Sequence, residues 1–459
     1  MRWLAVALLR WLAEALVRLY YPRRTVEGAT HVPLRGPTMY VANHPNGLLD
    51  PLLFRVITGH PIRFLAKSTL WGNPFGRLAM DAFQCLPVYR QQDVRTDERG
   101  QSVRRNEEAF ARCRAELALG AELALYPEGT SHSDPHLRPL KSGAARIALS
   151  AAAEAAATTD GRTGLVMIPA GTYYEDKAVF RSGVHLVIGA PIDLSGHVNE
   201  FSVDPKRAID SLTDEIRERL NALVLQAETR ELIAGIARVA SWTAADADDD
   251  SPARRHARTR ELLAAYSALK AKDPERLEQV ARAVRQYARV LEHLGVSDPW
   301  AVETPRISSA QVAFAMGRAV LMLPAAVWGL ITSWGPYRFS GMVAARMTRD
   351  EDVLSTIKMI VGTTFLVVAW IIEAIALGWF FGLGWGLGAL AIAPAAGYAA
   401  LRLGETLREV SEALHHLGWR NRAATVQDLA NRRRRLAQEV AQALRQVDHH
   451  LPEDKSKDP

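Results

Sequence analysis

The stretch Glu122-Leu123-Ala124-Leu125-Tyr126-Pro127-Glu128-Gly129-Thr130-Ser131-His132 decides the fold. Its first five residues form a short, mostly apolar run of strand length, and Pro-Glu-Gly then breaks it. Leu140-Lys141-Ser142-Gly143 follows, opening an alanine-rich helical pattern over residues 142–157. Strand, polar turn and helix therefore succeed one another within about 35 residues, as in a βα unit. The same alternation recurs outward from this stretch. Strand-like runs occupy residues 38–42, 63–66, 86–89, 164–170 and 184–188, and a further helical pattern occupies 103–119. Strands alternating with helices predict an α/β domain with a mainly parallel sheet, over residues 22–204.

Polar residues gather where the strands end. After residues 38–42 comes Asn43-His44-Pro45-Asn46-Gly47-Leu48-Leu49-Asp50-Pro51. In a straight helix the six-residue step would turn Asp50 about 240° from His44. The Pro-Asn-Gly bend can fold it back. A histidine titrates near neutrality, and a carboxylate can set its tautomer and stabilise its cation, so the pair suits removal of a hydroxyl proton. In the second cluster, Gly129 lets backbone N–H groups approach a ligand, and Lys141 adds a positive charge at a helix start, where anions are favoured. Leu86-Pro87-Val88-Tyr89-Arg90 puts an arginine at a strand end, suited to a phosphate. Ile168-Pro169-Ala170-Gly171-Thr172-Tyr173 reads as another strand end leading into a turn. Taken singly, each cluster reads first as a surface turn or a helix cap.

Together, in this order, the four clusters resemble the glycerophosphate acyltransferase family over roughly residues 25–195. His44 and Asp50 match its histidine–aspartate motif, and Arg90 the arginine of its second motif. Tyr126-Pro127-Glu128-Gly129-Thr130 matches its Phe-Pro-Glu-Gly-Thr motif, and Ile168-Pro169 its fourth. Two departures stand out. Five residues separate His44 from Asp50 where four are usual, and Ser131-His132 stands where many members carry an arginine. Both features resemble the branch acylating glycerol 3-phosphate or dihydroxyacetone phosphate. The resemblance implies His44 as general base oriented by Asp50. Arg90 and Lys141 would meet the acceptor phosphate, and Glu128, Gly129 and Thr130 would shape its pocket. It implies acyl-CoA or acyl carrier protein thioester as co-substrate, a phosphorylated glycerol-type acceptor, and no cofactor or metal. A lysophosphatidate or other lysophospholipid acceptor is the second reading. A non-catalytic lipid-binding scaffold is the third, and the intact set of polar residues argues against it.

Further along, hydropathy segregates. Residues 312–335 hold one charge, Arg318, and residues 359–401 hold one, Glu373. A spanning helix needs roughly 20 apolar residues, so the longer run is long enough for two crossings. Gly382, Gly384, Gly386 and Gly388 supply a turn, giving a transmembrane hairpin over residues 359–382 and 385–401. Arg338, Arg346, Arg349 and Lys358 precede it, and Arg402, Arg408, Arg420 and Arg422 follow. By the positive-inside rule both flanks, and with them the catalytic domain, belong on the cytoplasmic face. Pro324, Pro336 and Arg318 predict that residues 312–335 form a re-entrant or interfacial segment. At the N-terminus, Arg2, Arg10, Glu14 and Arg18 fall within one half of a helical circumference, so residues 1–21 read as an amphipathic helix lying on membrane lipids.

The remaining segments are a charged, alanine-rich helical region (205–311), the membrane module (312–402) and a charged helical tail (403–459). In the tail, Arg432 to Arg435 reads as a solvated helix face that would attract anionic headgroups near a membrane hairpin. Composition bounds the rest. The chain of 459 residues is 48% hydrophobic and 23% charged, which excludes wholesale disorder. A net charge of +6 over this length gives no argument for nucleic acid. Two cysteines, Cys85 and Cys113, exclude a disulfide framework.

Overall fold

The structure is a computed structural model that describes residues 2–89, 99–158, 164–246, 251–296, 299–303, 309–348, 350–419 and 422–448. It divides into two compact units. The first comprises Met1–Thr229 with Thr348–Thr356, the second Arg230–Met347 with Ile357–Pro459.

The first unit is built on seven strands: β1 (Arg23–Glu27), β2 (Thr38–Ala42), β3 (Arg63–Lys67), β4 (Leu86–Val88), β5 (Glu122–Leu125), β6 (Val166–Tyr174) and β7 (Gly183–Ile188). Their spatial order is β1-β7-β6-β2-β5-β3-β4. Every pairing is parallel except β6 with β7. The helices are α1 (Arg2–Tyr20), α2 (Leu49–Thr58), α3 (Pro74–Ala82), α4 (Arg99–Ala118), α5 (Gly143–Thr158), α6 (Ser195–Val203) and α7 (Pro205–Leu223). The expected α/β sheet is thus present, with strand β1 added.

The central strand shows why both faces are covered. All five residues of β2 are buried. Met39 and Val41 join a core with Leu123, Leu125 and Met167 and the apolar faces of α4, α5 and α7. Tyr40 and Ala42 join a second core with Ala124, Ile168 and Phe54 of α2. Alternate residues of a strand point to opposite faces, so a doubly covered strand reads as an unbroken apolar run. Helix α7 lies past the expected domain end at residue 204. Its stripe Ala208, Leu212, Ile216 and Leu220 is fully buried in the first of these cores, because spacings of four place these residues on one helical face. The expected turn after residue 170 is a correction: β6 runs on to Tyr174 because β7 pairs with it antiparallel from Ala170 to Tyr174.

The second unit contains α8 (Arg230–Trp242), α9 (Pro252–Lys272), α10 (Pro274–Leu294), α11 (Pro299–Glu303), α12 (Ser309–Met347), α13 (Glu351–Phe381, whose first turn belongs to the first unit), α14 (Leu383–Trp419) and α15 (Ala423–Asp448). Leu429, Leu436 and Val440 of α15 share a core with Val239 and Trp242 of α8 and Tyr287 and Leu291 of α10. The expectation of a uniformly solvated run from Arg432 to Arg435 is corrected here. Arg433 is 6% exposed. Its guanidinium bonds both carboxylate oxygens of Glu303, at 2.8 and 2.9 Å, and lies 3.6 Å from the Trp300 ring centre. A planar, bidentate cation can be buried this way because its charge is paired and its face stacked.

Helices α12, α13 and α14 are each long and apolar enough to cross a membrane. Helix α12 is continuous, with Pro324 and Pro336 inside it. Gly382 alone separates α13 from α14, so Gly384, Gly386 and Gly388 belong to α14 and not to the turn. Gly386 instead allows close packing: a Cβ there would stand 3.1 Å from the Cα of Gly378.

Candidate active site

The site is assembled at the ends of β2, β5 and β6. Beyond β2 the chain bends at residues 45–48 and enters α2, whose second residue is Asp50. This bend folds Asp50 back onto His44, and Nδ1 of His44 lies 2.8 Å from Oδ2 of Asp50. Gly47 makes the bend possible. Its φ is +34°, and a Cβ there would sit 2.9 Å from the carbonyl oxygen of Asp352.

The Asp50 side chain is 1% exposed and fully engaged. Oδ2 also accepts from the Asn46 N–H at 2.8 Å, and Oδ1 accepts from the Tyr174 hydroxyl at 2.5 Å. Burial, then the Asp50 charge, pushes the Tyr174 phenol well above its usual range, so it stays a donor. With these donors the carboxylate is an acceptor for His44 Nδ1–H, which puts the imidazole lone pair on Nε2. The His44 ring stacks on Tyr126 with centroids 3.9 Å apart and planes 6° apart. Its side chain keeps 16% exposure, enough for a reactant to reach it.

The turn after β5 is locked to the same loop by Glu128. This side chain is 0% exposed. Oε1 accepts from the His44 N–H at 3.0 Å, and Oε2 accepts from the Arg138 N–H at 2.9 Å and from His132 Nε2. His132 Nδ1 in turn accepts from the Asp134 N–H at 3.2 Å, so Nε2 carries the proton. The His132 N–H reaches back to the His44 carbonyl at 3.1 Å. The resemblance implied that Glu128 shapes a pocket. Its carboxylate faces inward and braces backbone.

Gly129 has φ +76°, and a Cβ there would lie 2.6 Å from Nζ of Lys141. The ammonium therefore lies directly over the glycine, and the Lys141 N–H anchors to the Pro127 carbonyl at 2.8 Å. Thr130 is half-buried beside them, its hydroxyl 3.4 Å from the Ser131 carbonyl. His44, Asp50, Glu128, Gly129, Thr130 and Lys141 are thus on one connected loop system. Arg90 lies outside the described residues, just beyond β4.

Sequence reasoning missed several supports. Asn43 bonds both the N–H and the carbonyl of Thr172, at 2.7 and 3.1 Å, tying β2 to β6 past its Pro169. Asn46 Nδ2 donates to the Tyr21 hydroxyl at 2.8 Å, and Tyr21 donates to the Lys177 carbonyl at 2.7 Å. Nζ of Lys177 donates to the Pro45 carbonyl at 2.9 Å. The asparagines lie within the first cluster, and Tyr174 directly follows the fourth. Nothing in the local sequence of Tyr21 or Lys177 points to the site.

Residues 23–172 match the family model described as Acyltransferase. They form an acyltransferase domain. Three curated relatives fit this assignment. An uncharacterized acyltransferase of Schizosaccharomyces pombe is 23% identical over 304 residues, 49% of this chain and 44% of its own. Glycerol-3-phosphate O-acyltransferase 2 of Saccharomyces cerevisiae is 29% identical over 197 residues, 42% of this chain and 25% of its own. A chloroplastic 1-acyl-sn-glycerol-3-phosphate acyltransferase of Brassica napus is 27% identical over 184 residues, 40% of this chain and 48% of its own. The chain spans less than half the length of each. The acyltransferase domain accounts for β1 to β6, and the helical second unit lies outside the matched residues.

Proposed function

We propose that the protein is a membrane-bound O-acyltransferase of glycerolipid synthesis. It transfers a fatty acyl chain from acyl-CoA or acyl carrier protein to the hydroxyl of glycerol 3-phosphate or dihydroxyacetone phosphate. The observation that carries the reading is His44 held by a buried, three-donor Asp50, with Nε2 as the available base. His44 Nε2 takes the acceptor hydroxyl proton as the oxygen attacks the thioester carbonyl. The C–S bond then breaks, and the thiolate leaves with the proton from the imidazolium. Lys141 over Gly129 offers a charge for the acceptor phosphate, with Arg90 as its second partner by motif. Purified protein, supplied with long-chain acyl-CoA and a panel of acceptors, is expected to turn over glycerol 3-phosphate or dihydroxyacetone phosphate faster than 1-acylglycerol 3-phosphate. The opposite order would move the assignment to the lysophosphatidate reading.

The membrane reading is supported by the apolar helices and by Trp3, Leu4, Leu8 and Trp11 of α1, which are each more than 60% exposed. Chain parity limits how many helices cross. Met1–Thr229 and Thr348–Thr356 share one compact unit, so both lie on one side of a bilayer. Among the described residues, α12 is the one candidate span between them, so in this reading it does not complete a crossing. The Arg433–Glu303 pair ties α15 to α11, so an even number of crossings separates them too. Helices α13 and α14 supply two. Cysteines introduced one at a time at Gln286, Met347 and Gln427, in a background that lacks Cys85 and keeps only the buried Cys113, are expected to label from one side of sealed vesicles. Labelling of Met347→Cys from the opposite side to Gln286→Cys would make α12 a full crossing.

A further inference from the structure

Helix α13 begins against the catalytic loops. The Ser131 hydroxyl donates to Oδ2 of Asp352 at 2.5 Å, across 221 residues of chain. The Ser355 hydroxyl donates to the Lys177 carbonyl, and Ser355 is 0% exposed. Gly47 lies against the Asp352 carbonyl with no room for a side chain. Three loops of the site are touched: the bend between His44 and Asp50, the turn after Glu128, and the β6–β7 connection through Lys177. Ser131 is small enough to admit Asp352, and it occupies a stretch where the resembling family often carries an arginine.

We propose that Asp352 is a positioning residue of the active site. It holds Ser131, and through the Glu128–His132 turn the backbone of His44, from the first turn of a helix that continues as an apolar segment. The first turn of α13 is in this view a part of the catalytic unit and not only the start of an apolar helix. The inference rests on the acyltransferase reading for its kinetic arm, and on geometry alone for its labelling arm.

A double-mutant cycle tests it on the full-length protein in detergent, with palmitoyl-CoA and either glycerol 3-phosphate or 1-acylglycerol 3-phosphate. Asp352→Ala and Ser131→Ala are each expected to lower kcat about tenfold, within the coupling range of contacting groups. The donor KM is expected to stay within about twofold, since the pair holds the base and not the thioester. The double variant is expected to be no slower than either single variant. Asp352→Asn, whose amide oxygen still accepts from Ser131, is expected to stay within about threefold of the parent and guards against a folding defect in the alanine variant. Unchanged kcat in both single variants, or losses that multiply in the double variant, would overturn the proposal. Independently of activity, a cysteine at Ser355 is expected to resist maleimide until the protein is denatured. Labelling as fast as a cysteine at Met347, which is 62% exposed, would overturn the packing itself. A parent protein without turnover on any acceptor would fail the acyltransferase reading, and the Ser355→Cys result would still decide the position of this turn.

Discussion

Replacing His44 with alanine is expected to lower acyl transfer on the order of 10²–10⁴-fold while the protein stays folded. The size follows from the role: a positioned base that removes a proton in the transition state cannot be replaced by water held at random. Retention of the fold follows from the contacts. Asp50 loses one donor but keeps the Asn46 N–H and the Tyr174 hydroxyl. The Glu128 contact to residue 44 is made by the backbone N–H and survives the substitution. The loss is therefore expected in kcat, with thioester binding largely retained, and an unaltered denaturation profile is its control. Undiminished transfer by purified His44→Ala would remove the base from the mechanism.

Glu128→Gln is expected to cost activity on the order of 10²-fold and stability by about 2 kcal/mol. It does so without touching the reacting atoms. The carboxylate receives three donors, the His44 N–H, the Arg138 N–H and His132 Nε2, and none of its oxygen surface is exposed. An amide has one acceptor oxygen, so its NH2 group must confront at least one of those donors in a buried site. The turn after β5 then moves against the β2 loop, and His44 shifts with it. For a unit of this size the stability loss corresponds to roughly 4–8 °C in the thermal midpoint. This separates Glu128→Gln from His44→Ala, which affects rate alone. If Glu128 instead contacts the acceptor, the substitution would raise the acceptor KM with the midpoint unchanged.

The sheet was legible because its strands are apolar runs bounded by turn residues. Residues 38–42 appear in the structure with the bounds that the pattern predicts. Strand β1, Arg23-Arg24-Thr25-Val26-Glu27, was not, because it lies at the sheet edge and buries too little to need an apolar pattern. The turn placed after residue 170 failed because Gly171 and Thr172 look like turn residues. Antiparallel pairing to β7 and the Asn43 side chain override that local preference. Arg433 was misread for a related reason. Neighbouring arginines share one signature in sequence, and only the packing of α15 against α11 buries one of them.

What the sequence determined by itself is a set of candidate groups and their order along the chain. The loops and helix starts that follow the strands carry His44, Asp50, Glu128, Gly129 and Lys141, and side-chain chemistry is a local property. Tertiary structure alone decided which of these groups stay accessible and which are buried as braces. Glu128 points inward and His44 outward, although both follow short buried strands. It also decided that Tyr174 and Asp352, 124 and 302 positions beyond Asp50, hydrogen-bond to the same group of loops. Their contacts depend on where a strand and a helix end in space. Burial makes each such hydrogen bond strongly preferred over leaving its groups unpaired, and no short-range pattern records which partner the fold will supply.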